Sequence, residues 1–387
     1  MKIGIDISML VYQGSGVATY TYNLVKNLLK YDRTNEYRLF YSSLRRPPDF
    51  YFINEFRKLG AKVYDYRLPP RILKFLWNKY HLLPVEWLIG KVDVYHSSDY
   101  LRPPLLKGTK SITTLHDLTW KLFPQYHTQD VIEAHENKIQ KTIKYRDHII
   151  VDSQNTKLDL YKCFPKIKKS PISVIYPGVG DEFRKIRDKS KIKKVLKKYK
   201  LKYPADYLLY VGAIEPRKNL ITAIKVFDKL IKDKNYSKFK FLIVGRAGWK
   251  NEKVFQKVKD LGLENKALFV GYVNDEDLLY FYNAARVFVY LSLYEGFGLP
   301  PLEASRCGTP SLLYRNSSLK EIFPKNDLFS KKGFELKTLS YLLENKNKIK
   351  LGFVKKYNWK NYCSNLMSFW LVPRSLKSEV GNEQSER

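Results

Sequence analysis

The chain opens on a short apolar run, KIGIDISML, which breaks at the glycine loop VYQGSG and resumes as VATYTYNLVKNLLKY, with apolar residues at helical spacing. This reads as a strand, a turn and a helix. Further β-rich runs lie at 37–41, 61–66, 92–96, 110–115, 148–151 and 172–175, with helical patterns between several of them, notably 128–145 and 155–163. Strands alternating with helices predict a parallel sheet covered on both faces.

From 184 to 202 nearly every second residue is Lys or Arg, and beyond this stretch the alternation starts again. YLLYVG, NLITAIKVFDKLIKD, FKFLIVG, a helix, ALFVGYV, DLLYFYNAARV and VFVYLS follow in order. The restart predicts a second α/β domain whose first strand begins near Tyr207, with Pro177-Gly178 and the charged run forming the connection. At 387 residues the chain exceeds what one core usually organises. The expected division is 1–200, 201–356, and a terminal segment 357–387. In the last, the aromatic pattern WKNYCSNLMSFW forms a helix returning toward the first domain, and SLKSEVGNEQSER is a frayed tail.

Composition narrows the class. No window offers the ~18 apolar residues of a membrane span, and MKIGIDISML meets Asp6 where a signal peptide needs its apolar stretch, so a cytoplasmic protein is expected. Cys163, Cys307 and Cys363 are too far apart for a disulfide framework or a thiolate zinc site. The net charge of +32 attracts phosphates without choosing among nucleotides, nucleic acids and lipid headgroups. In the basic stretch Ile192, Val195, Leu196 and Tyr199 recur at helical spacing, which fits an amphipathic helix with a solvated basic face or with a face on an anionic membrane. The run RILKFLWNKYHLL at 71–83 likewise fits core packing or an interfacial helix.

The segment 294–310, YEGFGLPPLEASRCGTP, carries the most chemistry. A strand empties into Glu295-Gly296-Phe297-Gly298, and Leu299-Pro300 opens a helix ending near Cys307-Gly308. Glu295 is thereby placed at the carboxyl end of a strand, where open α/β sheets hold ligands, and Glu303 about one turn inside the helix. Two glycines before a helix start also let backbone N–H groups approach an anion. The plainer alternative is a tight turn followed by a solvent-facing Glu303.

The pattern E-G-F-G-x-P-x-x-E-A resembles the donor-site signature of the retaining family 4 glycosyltransferases, which have the GT-B fold of two Rossmann-like domains facing across a cleft. The resemblance spans nearly the whole chain: the early glycine loop, T-L-H-D-L at 114–118, V-I-Y-P-G-V at 174–179, Y-V-G-A-I-E-P-R-K-N-L at 210–220 and V-G-Y-V-N-D-E-D-L at 270–278. D-V-Y-H-S-S-D-Y-L-R-P-P and V-G-R-A-G-W are similar to segments of bacterial mannosyl- and rhamnosyltransferases of surface-polysaccharide assembly.

The resemblance implies that Glu295 bonds hydroxyls of the donor sugar and Glu303 grips the ribose, while Gly296, Phe297, Gly298 and Leu299 line the sugar and diphosphate. It implies that Lys218 and Arg217, at the same sheet edge as Glu295, neutralise the departing diphosphate. Some relatives carry an arginine where this chain has Ala213, which makes Lys218 the firmer assignment and leaves the role of Arg217 open. His116 is implied to reach the transferred sugar, and Asp117, with Gly14, Ser15 and Gly16 after Gln13, to border the acceptor. Gly212 is expected to bind the donor nucleotide, and Val244, Gly245, Arg246 and the turn Gly271 to Val273, which end strands beside the donor site, are the expected flanks of its base.

The implied reaction is hexosyl transfer with retention, best matched to mannose from GDP-mannose, with UDP- or dTDP-sugars as alternatives, to a glycan or polyprenol-diphosphate-linked acceptor. An anionic surface on the inner face of the cell membrane is a further expected partner. No cofactor or essential metal is expected, because Asp275-Glu276-Asp277 precedes a helical run and fits capping better than chelation. Neither HExxH nor GxSxG occurs. The competing class, a nucleic-acid-binding protein, is motivated by charge and 30 tyrosines, but no recognition motif accompanies them.

Overall fold

The computed structural model describes residues 1–12, 14–44, 51–97, 100–203, 206–248, 250–323 and 328–371. Gln13 of the glycine loop, Ser98 and Asp99, Trp249 and the tail after 371 lie outside them. The chain divides into two compact units: one spans 1–178 without 14–16 and takes up the chain again at Trp359, and the other holds 179–358 together with 14–16.

The first unit is a seven-stranded parallel sheet built from β1 (Lys2–Asp6), β2 (Glu36–Ser42), β3 (Lys62–Tyr66), β4 (Val94–Ser97), β5 (Lys110–Leu115), β6 (His148–Val151) and β7 (Ile172–Val174). Its spatial order is β3-β2-β1-β4-β5-β6-β7, so the winding reverses between β1 and β4. Helix Gly16–Tyr31 packs Tyr20, Leu24, Val25 and Leu28 onto it. The terminal helix Trp359–Leu371 closes the same core with Trp359, Tyr362, Cys363, Leu366 and Trp370.

The second unit is a six-stranded parallel sheet: β8 (Tyr207–Val211), β9 (Lys240–Val244), β10 (Ala267–Gly271), β11 (Val287–Tyr290), β12 (Ser311–Tyr314) and β13 (Phe329–Ser330). Its order is β10-β9-β8-β11-β12-β13, with the reversal between β8 and β11.

The division falls after Gly178 and not at 200, because helix Lys189–Lys198 belongs to the second unit. Its apolar stripe, Ile192 and Leu196, joins the second core, and Lys198 Nζ and Tyr199 OH bond Asp277 at 3.1 and 2.9 Å. Lys189, Lys191, Lys193, Lys194 and Lys197 face solvent. The 71–83 run packs into the core in part. Leu73 and Trp77 are buried, whereas Ile72, Phe75 and Tyr80, along a short helix that widens into a π-helix, Lys74–Tyr80, and Leu82 just beyond it are 46–57% exposed.

Candidate donor and sugar site

Where neighbouring strands carry their connections in opposite directions, the loops at their carboxyl ends part and leave a crevice. In the second unit β8 and β11 are those neighbours. β8 leads through Gly212 to a tight turn, Pro216–Lys218, ahead of helix Leu220–Leu230. β11 leads through 291–298 to helix Leu299–Arg306. The two loops are stitched together: Leu293 N–H donates to the Arg217 carbonyl (2.9 Å), Asn219 Nδ2 to the Leu291 carbonyl (3.1 Å) and Arg217 Nη1 to the Tyr294 carbonyl (2.7 Å).

This stitching brings Glu295, Lys218 and Arg217 together. Lys218 Nζ donates to Glu295 Oε1 and to the Tyr290 hydroxyl, each at 2.7 Å, and Arg217 Nη1 lies 3.2 Å from Glu295 Oε2. Arg217 Nη2 also donates to Glu215 Oε1 at 2.6 Å. Burial alone would raise the carboxyl of Glu295, but the charges of Lys218 and Arg217, with hydrogen bonds from Lys218 and Ser292, hold it down at about 2. Burial and the Arg217 charge draw the Lys218 ammonium below its ordinary range, with Glu295 opposing them.

The loop is fixed by groups with no counterpart among the sequence expectations. Glu295 N–H donates to Ser317 Oγ (2.9 Å), and Ser318 Oγ–H reaches the carbonyls of Glu295 (2.9 Å) and Phe297 (2.7 Å). The only sequence sign of this clamp is N-S-S after β12, a turn signature. Gly298 adopts φ 112°, and a Cβ there would sit 2.6 Å from Leu319 Cδ2. Gly245 is as constrained: its Cβ would lie 2.0 Å from the Gly212 carbonyl oxygen, so β8 and β9 can end side by side only with glycine. Gly296 and Phe297 are buried, Phe297 edge-on to Tyr357, and Leu299 starts the helix half-buried.

Glu303 sits on that helix in different surroundings. It is 7% exposed, and Tyr282 OH donates to its Oε2 at 2.8 Å. Burial and the negative charges of Asp275 and Glu182 outweigh the tyrosine bond and push its carboxyl up to about 8. Of the residues expected to flank the base, Arg246 is exposed, Val244 and Val273 are core residues, and Gly271 turns at φ 80°. Asp275-Glu276-Asp277 forms the first turn of helix Asp275–Ala284. Asn274 caps it through Asp277 N–H, and Asp277 is taken up by Lys198 and Tyr199. Among the described residues no group of three or more His, Cys, Asp or Glu is placed to hold a metal ion.

In the first unit His116 and Asp117 follow β5. His116 Nδ1 lies 2.7 Å from Asp152 Oδ2, and the ring meets Tyr20 edge-on at 4.5 Å between centroids. Asp117 instead bonds locally, accepting from Thr119 N–H (2.9 Å) and Thr119 Oγ–H (2.7 Å) at the start of helix Thr119–Leu122. Gly14, in the left-handed region at φ 75°, Ser15 and Gly16 lead into helix Gly16–Tyr31.

Known proteins match these two halves separately and the chain as a whole. Residues 14–183 match the profile described as Glycosyltransferase Family 4, and 188–356 the one described as Glycosyl transferases group 1. O-antigen chain mannosyltransferase B of Escherichia coli is 29% identical over 337 residues, 83% of this chain and 84% of that protein. O-antigen chain mannosyltransferase RfbU of Salmonella typhimurium is 27% identical over 70% of this chain and 67% of its own. Sucrose-phosphate synthase from Thermosynechococcus elongatus superposes with a TM-score of 0.73 at 17% identity, covering 96% of this chain and 98% of that one. WaaG, a glycosyltransferase involved in lipopolysaccharide biosynthesis, superposes at 0.65 and 13% identity, over 94% and 95%. At such identities the structures speak for the fold, and the sequence matches speak for the family. The chain belongs to the family 4 glycosyltransferases and is a hexosyltransferase of the GT-B fold.

Proposed function

We propose that the enzyme transfers mannose from GDP-mannose, with retention, to a glycan or polyprenol-diphosphate-linked acceptor in surface-polysaccharide synthesis. The observation that carries the chemistry is Glu295 held ionised between Lys218 and Arg217 at the crevice of the second sheet. A carboxylate kept charged accepts two sugar hydroxyls. Two of the three N–H donors of Lys218 are engaged by Glu295 and Tyr290, and the third is available to a diphosphate oxygen as the bond to the sugar breaks. Glu303 takes the ribose, and the loop from Gly296 to Leu299, with Gly212 and Gly245, takes the diphosphate. His116 reaches the transferred sugar, and Asp117 with Gly14, Ser15 and Gly16 forms the acceptor side. Attack comes from the face the leaving group vacates, the diphosphate accepts the acceptor's proton, and no protein nucleophile or metal is assigned.

The mannosyl assignment is supported by the names of the relatives, O-antigen chain mannosyltransferases. A membrane-facing role is supported by the exposed Ile72, Phe75, Tyr80 and Leu82 beside Lys74 and Lys79, a mixture suited to the headgroup region of an anionic bilayer. Among the described residues no helix is long and apolar enough to cross a membrane.

The test is Glu295→Ala with transfer and thermal unfolding measured together. Loss of transfer at an unchanged melting curve is expected, and undiminished turnover would remove Glu295 from the site. Screening GDP-, UDP-, dTDP- and ADP-sugars by thermal shift identifies the donor, since a true donor at 100 times its Kd contributes about 2.7 kcal/mol.

A further inference from the structure

His116 and Asp152 meet because of strand register. β5 and β6 run parallel with Leu115 opposite Val151, so the next residue on each strand leaves the sheet beside the other. Their side chains close the gap, Nδ1 to Oδ2 at 2.7 Å, with 17% of the histidine side chain and 6% of the aspartate exposed. Surrounding contacts limit what the ring can do. Thr156 Oγ–H donates to the His116 carbonyl at 3.3 Å, and the Tyr20 ring packs edge-on against the imidazole. Tyr20 is itself pinned by hydroxyl contacts with Tyr362 on the terminal helix and with Thr114, the latter at 3.3 Å. His116 is thus held at its backbone carbonyl by Thr156, and its ring by Tyr20 and at Nδ1 by Asp152.

We infer that Asp152 is a positioning residue for sugar transfer: it holds His116 as the Nδ1–H tautomer, so that Nε2 carries the ring's lone pair. The inference rests on the reading of His116 as the group that reaches the transferred sugar. An ionised carboxylate only accepts hydrogen bonds, so it matches a protonated Nδ1 and repels a lone pair there. The same carboxylate stabilises the ring if a proton arrives at Nε2. Burial raises the Asp152 carboxyl, and the nearby Asp117 charge adds to this, while the charge and hydrogen bond of His116 draw it back. Of the other titratable neighbours, His96 is held at about 3, and therefore neutral, by burial and the charges of Lys138 and His116, and burial together with the Asp152 charge raises the hydroxyls of Tyr20 and Tyr362, which stay neutral as well.

The competing account is a structural tie between two loops, and Asp152→Asn separates the two. The amide keeps the size of the carboxyl but can donate to Nδ1, which favours the opposite tautomer. The expected result is a fall in kcat of roughly a hundredfold, the scale seen when an orienting partner is lost. The donor KM and donor-induced thermal stabilisation stay within about threefold and two degrees of wild type, since both are read in the second unit. Imidazole ¹⁵N shifts of His116 should move from the Nδ1–H pattern toward Nε2–H. His116→Ala is the companion. If it retains full transfer, the reading of His116 and this inference fall together. If it is inactive while Asp152→Asn turns over normally with unchanged ¹⁵N shifts, only the positioning role is overturned. In the double variant, Asp152→Asn should add nothing to the loss already caused by His116→Ala.

Discussion

Glu295 and Glu303 bound one short segment, are 6% and 7% exposed, and stand in opposite charge states. Depth is the same for both, so depth does not explain the difference. Glu295 lies on the loop after β11, where the switch in winding lets the β8 loop deliver two cations. Glu303 lies on the helix after that loop, facing Tyr282 and the charges of Asp275 and Glu182. The lesson is positional: in an open sheet the loop residue meets the neighbouring strand's loop, while the helix residue meets its own side of the domain. One acid is therefore charged before any ligand arrives, and the other must lose a proton to accept hydrogen bonds at both oxygens.

Removing the cations is the most severe way to break this contrast. Lys218→Met leaves Glu295 buried with Arg217 as its remaining ion-pair partner and a hydrogen bond from Ser292, and an uncompensated buried charge costs about 3–5 kcal/mol. A loss near 3 kcal/mol in urea unfolding is expected, because Arg217 remains at 3.2 Å, together with loss of transfer. A depressed carboxyl contributes stability that is present above the ordinary glutamate range and disappears as pH falls through about 2. Wild type and variant should accordingly converge at acid pH. Equal stability of the two at pH 7 would mean that Lys218 does not hold Glu295.

Glu303 sharpens the contrast from the other side, with two slopes of opposite sign. Its raised carboxyl contributes stability that is full below its ordinary value of 4.5 and is lost as pH rises through about 8. Between pH 6 and 9 the protein should lose about 2–3 kcal/mol of stability relative to Glu303→Gln. Gripping a ribose needs the ionised form, so GDP-mannose, whose diphosphate diester does not titrate in this range, should bind about fiftyfold tighter at pH 8 than at pH 6. Glu303→Gln should flatten both slopes. Titration calorimetry at three pH values checks the second, and an affinity independent of pH would remove Glu303 from the ribose.

Much of this arrangement was legible in the residues, and what was not has a common cause. The strand runs and the E-x7-E segment placed Glu295 at a strand's carboxyl end because hydrophobic period and turn chemistry are local signals. The proximity of Lys218 to Glu295 followed from both lying at one sheet edge. Opposite protonation of the two glutamates did not follow, since it depends on Tyr282, Asp275 and Glu182, which are brought in by separate elements. Asp152 was missed for the same reason, although the parallel alignment of SITTL-H with HIIV-D contains the clue once β5 and β6 are known neighbours. The boundary at 178 was blurred by the basic helix, whose charge pattern resembles a linker while its apolar stripe, Ile192, Val195 and Leu196, belongs to the second unit.

Ser318 tests how finely the loop that carries Glu295 must be held. Its hydroxyl reaches two carbonyls, of Glu295 and Phe297, from a buried position, and it occupies a turn that the sequence marks only as polar. Ser318→Ala removes the donor without adding bulk, leaving both carbonyls to find other partners, at a cost of about 1–2 kcal/mol. The cations of the cluster are left in place, because Lys218 and Arg217 come from the other loop. If loop placement matters only to the fold, the melting point falls and kcat does not. If the glutamate must be aimed, kcat falls several-fold while the donor's affinity, set largely at Glu303, stays near wild type. The second outcome is expected if, as proposed, Glu295 acts by its direction toward the sugar and Glu303 by its charge, because a small shift of the loop changes the first without changing the second.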